Sequence, residues 1–224
     1  MIVRSVPIET ISINSGYLRL KRFFDIVFVL LIAPLIVPIG ITIALLIRLD
    51  SEGPIFFRQK RIGRNGEEFE MLKFRSMYTG STDQRHRESI AKYINGEKVN
   101  EDSSATLSYK LSNDDRITRV GRIIRKLSLD ELPQFWNVLR GEMTLVGPRP
   151  PISYEVEQYS SHDWLRLSGK PGLTGAWQVY GRSRVTFHEM VEMDIDYLEH
   201  PSFWVDLKLI VLTIPVILLG RGGA

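Results

Sequence analysis

The feature that most limits what this chain can fold into is an apolar run from Phe23 to Ile47, 25 residues in which Asp25 is the sole charge. As a straight helix it would extend about 37 Å, enough to cross a hydrocarbon core of about 30 Å. It is too long for a cleaved leader, and no small-residue cleavage site follows. Two features disturb the reading of a simple span. Pro34 and Pro38 lie four residues apart near its middle; each removes a helical hydrogen bond, and at that spacing their bends fall on one face and add. Cations also flank both ends, Arg19, Lys21 and Arg22 before and Arg48, Arg58, Lys60 and Arg61 after, so both ends satisfy the cytoplasmic preference of positive charge. On these residues alone, a spanning helix and a re-entrant one stand level. Asp25 would cost about 2.5–3.5 kcal/mol at a membrane centre and less near the interface. Lys21 and Arg22 are within helical reach of it, which predicts a snorkelling interfacial charge pair rather than a catalytic group.

The remainder is ordinary for a folded domain. The 224 residues are 44% hydrophobic and 25% charged, with 29 basic and 26 acidic residues for a net charge of +3. No global field attracts an anionic polymer, which argues against nucleic-acid binding. The absence of cysteine excludes disulfides, a thiolate nucleophile and cysteine zinc sites. The four histidines, His86, His162, His188 and His200, show no metal-ligand spacing.

After a turn at Ser51-Glu52-Gly53-Pro54, two strand-like runs flank Asn65-Gly66, which predicts a β-hairpin. Its cations (Arg58, Lys60, Arg61, Arg64, Lys73 and Arg75) are expected to be mostly solvated or turned to lipid headgroups. Residues 78–113 are polar and read as an excursion with a short helix from Arg85 to Ile94. Ile117, Val120, Ile124 and Leu127 mark a helical face. Thr186 and Glu189 form a capping box that opens a helix to about Leu198, and Phe203 to Leu219 suits an interface or core helix. The fold class is therefore α+β: mostly helical, with a small hairpin, a bent membrane helix and interfacial amphipathic helices. Two parts are expected, 1–50 as the arm and membrane helix and 51–224 as a domain packed on the membrane interface, the two forming one functional unit.

Chemistry concentrates at Ser128-Leu129-Asp130-Glu131-Leu132-Pro133. Two adjacent carboxylates before a helix-opening proline are ordinarily explained by the helix dipole, worth ~0.3–1 kcal/mol. Arg125 and the Gly147-Pro148-Arg149-Pro150-Pro151 and Lys170-Pro171-Gly172-Leu173-Thr174-Gly175 runs alter that balance. Arginines on stiff turns suit phosphate oxygens, and two carboxylates beside them suit a magnesium-dependent diphosphate site. Each Pro/Gly run alone is also what a surface turn looks like.

Taken together the motifs resemble the bacterial sugar transferases, monotopic phosphoglycosyl transferases that start polysaccharide and glycoconjugate assembly. The resemblance runs from about Arg19 to Ala224. It includes Lys21–Asp25, Gly53–Gly63, Lys73-Phe74-Arg75-Ser76-Met77, Leu129–Gln134 and Val146–Pro150, then Pro171–Gly175, Gln178-Val179-x-Gly181-Arg182 and Gly220-Arg221-Gly222. Ala33, where many members have Ser, and Asp115, where Pro is common, depart from the pattern.

This resemblance implies that Asp130 is the nucleophile and that Glu131 helps it hold Mg2+. Arg75, Arg125, Arg149 and Arg182 would bind phosphate or nucleotide, and the segment carrying Lys21, Arg22, Asp25, Pro34 and Pro38 would be re-entrant. The implied partners are a UDP-sugar, undecaprenyl phosphate and membrane lipid, with a homodimer open to the chain. The site would face the cytoplasm at the bacterial inner membrane. Asp130 would displace UMP to leave a phosphosugar-aspartyl enzyme, which undecaprenyl phosphate then attacks. The exopolysaccharide-type members, which handle glucose or galactose, are the most similar in the C-terminal part. A membrane scaffold without catalysis, or a magnesium-dependent diphosphate-sugar hydrolase, are the competing functions.

Overall fold

The computed structural model describes residues 10–80, 84–96, 115–181 and 184–218. Asn14 opens the first helix: its side chain accepts from the backbone N–H of Gly16 (2.8 Å) and Tyr17 (3.3 Å), satisfying orphan donors of the first turn. Helix α1 then runs Ser15–Asp50, enclosing Pro34 and Pro38, and Arg48 complements the dipole in its last turn. The helix starts eight residues before the apolar run because Asn14, rather than hydropathy, sets its end.

Only Asp25, Val29, Ile43 and Ile47 of α1 are buried, while Leu30, Leu31, Leu35, Val37, Ile41, Leu45, Leu46 and Leu49 are exposed. An apolar face of this extent suits lipid rather than water. By length and composition α1 is able to cross a membrane, and it is consistent with a monotopic anchor.

The expected snorkelling pair is not what forms. Asp25 is 3% exposed and accepts from Thr144 Oγ1 at 2.7 Å and the Leu145 N–H at 3.1 Å. Lys21 Nζ instead reaches Asp206 Oδ2 at 2.6 Å, and Arg22 donates to the carbonyls of Val138 and Leu139. Protein acceptors and donors were available at each side chain, so all three are used to dock α1 on the body.

The hairpin forms as predicted. Strands β1 (Phe56–Ile62) and β2 (Glu68–Phe74) pair antiparallel from Phe56↔Phe74 to Ile62↔Glu68. The turn between them holds Asn65 at φ 56° and Gly66 at φ 83°, the left-handed region that Asn and Gly tolerate. Helix α2 covers Gln84–Ile94, and α3 covers Arg119–Lys126, capped by Thr118. Then follow α4 (Gln134–Arg140), β3 (Thr144–Val146), α5 (Ser153–Val156), β4 (Gly172–Thr174) and α6 (Ala176–Tyr180). Helix α7 spans Phe187–Glu199 with the expected capping box from Thr186 and Glu189, and α8 spans Phe203–Leu218.

One core joins these elements: Val29 of α1, Met71 of β2, Val138 of α4, Met143, Leu145 and Val146 around β3, Tyr197 and Leu198 of α7, and Leu209 of α8. A second cluster closes the far end of α1, where Ile43 and Ile47 meet Phe74 and Ile124.

Candidate active site

The two proline-glycine runs are not surface turns. Strands β3 and β4 pair in parallel, Thr144 opposite Gly172 and Val146 opposite Thr174. The Thr144 N–H donates to Pro171 O (2.8 Å), the Gly147 N–H to Thr174 O (2.8 Å), and the Gly172 N–H to Pro148 O (2.9 Å). A Cβ on Gly147 would strike the Lys170 carbonyl, and one on Gly172 would strike the Gly147 amide. Glycine is required here for close backbone approach. Gly147, Pro148 and Pro150 are buried as a result, and Arg149 stands on a rigid platform.

The hairpin clamps that platform from the other side. Side chains on one face of a strand alternate, and one face carries Arg61, Met71 and Lys73. Arg61, 5% exposed, donates from Nη1 to Pro150 O at 2.9 Å, and the Ile62 N–H donates to Pro151 O at 2.9 Å. Arg58 and Lys60 of the opposite face are exposed, as expected of a solvated hairpin. Arg61, Lys73 and Arg75 depart from that expectation because their face packs on the body.

The carboxylate pair lies in a short 3-10 turn, Leu129–Glu131, between α3 and α4. Ser128 enters the turn in the left-handed region at φ 54°, a conformation costing of order 1–3 kcal/mol in a non-glycine residue. Pro133 caps α4. Fully buried Asn137 fixes α4 against β2: its Oδ1 accepts from the Leu72 N–H (3.0 Å), and its Nδ2 donates to Glu70 O (2.7 Å) and Glu142 Oε2 (2.7 Å). That register brings Lys73 Nζ to within 2.7 Å of Glu131 Oε1.

The two acids are driven apart. Burial pushes the Asp130 carboxyl above its ordinary value, and the neighbouring Glu131 charge adds to this, against opposing attraction from Lys73 and Arg125. Burial would raise Glu131 too, but Lys73, Arg149 and Arg61 outweigh it and hold the carboxyl down to about 2. A narrow cavity of about 10 Å3 lies beside Glu131, lined by Arg61, Lys73, Gln134, Arg149 and Gln178 among others. A larger open groove of about 700 Å3 along Lys60, Glu68 and Glu70 belongs to the other hairpin face and does not include the pair.

The structure thus gathers Asp130, Glu131, Arg125 and Arg149. Arg75 is elsewhere: 4% exposed, it donates from Nη2 to Ser51 O (2.6 Å) and Ser51 Oγ (2.9 Å), closing the C-terminal end of α1. Arg182 and the terminal Gly220-Arg221-Gly222 lie outside the described residues. Lys73, Arg61 and Asn137 were not singled out as site residues; inward alternation along β2, with Met71 as the apolar marker, is the signal that would have found Lys73.

Among the described residues no three carboxylate or histidine groups come together as a metal cluster. The donor set nevertheless fits Mg2+, which is commonly held by one or two carboxylates completed by substrate phosphates and water. Asp130 and Glu131 would supply those carboxylates, and their mutual repulsion in a half-buried turn is what a divalent cation would relieve.

Comparison with known proteins places the chain in a family. The family model described as bacterial sugar transferase matches residues 16–220. The chain is 44% identical over 209 residues to the galactosyl transferase CpsE of Streptococcus agalactiae, covering 93% of this chain and 44% of that protein. It is 42% identical over 205 residues to the UDP-galactose-lipid carrier transferase of Erwinia amylovora, covering 92% and 41%. It is 37% identical over 220 residues to the exopolysaccharide production protein ExoY of Rhizobium meliloti, covering 97% and 94%. The chain therefore spans under half of the first two relatives and nearly all of the third.

Proposed function

Because this chain belongs to the bacterial sugar transferase family, we propose that it moves a sugar 1-phosphate from a UDP-sugar to undecaprenyl phosphate and releases UMP. The observation that carries this reading is the Asp130–Glu131 pair in the turn before α4, with Lys73 Nζ 2.7 Å from Glu131 Oε1 and Arg125, Arg149 and Arg61 near enough to act on the two charges. The relatives' names favour UDP-galactose as donor, with UDP-glucose the next to test. This would be the first membrane step of polysaccharide assembly, at the cytoplasmic face of the bacterial inner membrane.

In the first step an Asp130 carboxylate oxygen attacks the sugar-bearing phosphorus, the phosphoanhydride bond breaks, and UMP leaves with the bridging oxygen. In the second, a phosphate oxygen of the carrier attacks the same phosphorus and Asp130 leaves as carboxylate. The carrier oxygen is already ionised, so no strong base is required, which accords with a chain of 224 residues that has four histidines. Carboxylate and diphosphate repel, so fixed positive charge is needed. Arg149, beside Glu131, and Arg125, beside Asp130, supply it, and Lys73 keeps Glu131 ionised and oriented. Mg2+, held by Asp130 and Glu131, would neutralise charge on the diphosphate oxygens.

The membrane segment is proposed to be re-entrant. What supports this is that both ends of α1 bind the same body: Lys21, Arg22 and Asp25 near its start, and at its end Asp50, whose Oδ2 accepts from the Val120 N–H at 2.9 Å. A helix tethered at both ends to one domain leaves neither end on the far side of a bilayer, and Pro34 and Pro38 supply the bend.

The test is UMP release in detergent from UDP-galactose, UDP-glucose and other UDP-sugars, with and without undecaprenyl phosphate. Sustained turnover that depends on the carrier supports transfer. Sustained turnover without carrier would mean a hydrolase, and no UMP under any condition would mean a scaffold.

A further inference from the structure

Arg149 lines two cavities. One is the space beside Glu131. The other, about 30 Å3, lies between α2, α6 and α7, with Ile90, Tyr93, Arg166, Trp177 and Phe187 in its walls. Aromatic rings share those walls with the charged Arg149, Glu155 and Arg166, and Tyr93 and Phe187 meet edge to face at 6.2 Å. Two polar atoms among its residues are unusual. Trp177 is 8% exposed and Arg166 2% exposed, yet the Trp177 Nε1–H and the Arg166 Nε–H are buried without a partner among the described residues. Arg166 has no freedom to turn away, since Nη1 donates to Tyr159 Oη (2.8 Å) and Nη2 to Asp194 Oδ2 (2.6 Å). Orphan buried donors are costly, and the proposed phosphate chemistry uses neither.

We infer that this cavity takes the nucleobase of the donor, a uracil whose carbonyl oxygens accept from Trp177 Nε1–H and Arg166 Nε–H. The inference rests on the transfer reaction proposed above and adds where the nucleotide lies. A diphosphate held at Arg149 puts the reacting phosphorus toward Glu131 and Asp130 and leaves the nucleoside to extend the other way, into the aromatic pocket. A planar ring suits walls of Tyr93, Trp177 and Phe187. Both orphan groups are donors and Glu155 of the same wall is an acceptor; uracil offers two carbonyls to the donors and an N3–H to the carboxylate, where cytosine offers one carbonyl and no N3–H. The pocket is narrower than a base, so entry moves α2 outward. That helix supplies Ile90 and Tyr93 and rests on the body through α5 and α7.

The test is calorimetric binding of UDP, CDP and inorganic pyrophosphate, with Mg2+, to the full chain in detergent. The native protein is expected to bind UDP more tightly than CDP. Trp177→Phe, which keeps the ring and removes the donor, is expected to weaken UDP about ten-fold, the worth of one such hydrogen bond, and to leave pyrophosphate unchanged. Ile90→Trp, which fills the same space from α2, is expected to abolish UDP binding and spare pyrophosphate. The inference is overturned if native protein does not prefer UDP, if UDP binding ignores both variants, or if UDP and pyrophosphate weaken alike in both. UDP binding that responds as expected in a protein that transfers nothing would sink the reaction and keep the pocket; normal transfer with UDP binding indifferent to both variants would do the reverse.

Discussion

Lys73 Nζ and Glu131 Oε1 lie 2.7 Å apart, a contact from the inner face of β2 to the turn that precedes α4. It makes two neighbouring carboxyls unequal: Glu131 is held down to about 2 while Asp130 is pushed up. Environments that drive paired acids apart are how one site assigns them different roles. Here a Glu131 that stays charged at neutral pH is suited to cation binding, and a half-buried Asp130 is suited to attack.

Lys73→Met tests that division through pH. Removing a cation raises both carboxyls, so the acid limb of kcat/KM is expected to move to higher pH, with activity at neutral pH reduced about 10–100-fold by the loss of one charge-assisted contact. Stability should respond too. Glu131 contributes stability that is full above its ordinary 4.5 and is lost as pH falls toward about 2; in Lys73→Met that acid-side dependence should shrink. A pH–rate profile and acid unfolding curves, native against variant, check both expectations. An unmoved acid limb would count against the role given to Lys73.

Glu131→Gln is expected to retain the fold and lose most activity, with the Mg2+ concentration for half-maximal rate raised about ten-fold or more. Titrating Mg2+ in the transfer assay measures this directly, and an unchanged midpoint would remove Glu131 from the metal site.

Gly172→Ala places a methyl group against the Gly147 backbone amide. Backbone cannot yield as a flexible side chain does, so the expected cost is about 1–3 kcal/mol of stability, with a disproportionate fall in activity as the Arg149 platform shifts. Thermal unfolding beside kcat/KM separates the two.

Asp25→Ala leaves Thr144 Oγ1 and the Leu145 N–H without their acceptor. Loss of a buried charged acceptor is worth about 1.5–3 kcal/mol. The variant should unfold earlier in detergent, and limited proteolysis should release α1 from the body more readily. Equal stability of Asp25→Ala and native protein would mean the docking contacts are dispensable.

Local chemistry was legible in the sequence wherever it acts over a few residues. Asn65-Gly66 predicted the hairpin, Thr186 and Glu189 the start of α7, and Asp130-Glu131-Leu132-Pro133 an acidic turn ahead of a helix. What depended on distant partners was not legible. Asp25 looked like a snorkelling charge because Thr144 and Leu145 are far along the chain. The runs at Gly147 and Gly172 looked like surface turns because each makes sense as a strand end only once paired with the other. Arg75 sits on a motif that suggests phosphate binding, and only the fold reveals that its Nη2 reaches back to Ser51 at the end of α1. Lys73 was hidden among the hairpin's cations, although strand alternation places it on Met71's face.

The most direct test of the central claim is UMP release by native protein and Asp130→Asn, mixed with UDP-galactose and Mg2+ in the absence of undecaprenyl phosphate. The account predicts a burst of about one UMP per native chain that then stops, as expected of a covalent intermediate waiting for its acceptor, and no burst from Asp130→Asn. UMP that appears only when the carrier is added, or an equal burst from the variant, would contradict a phosphosugar held on Asp130.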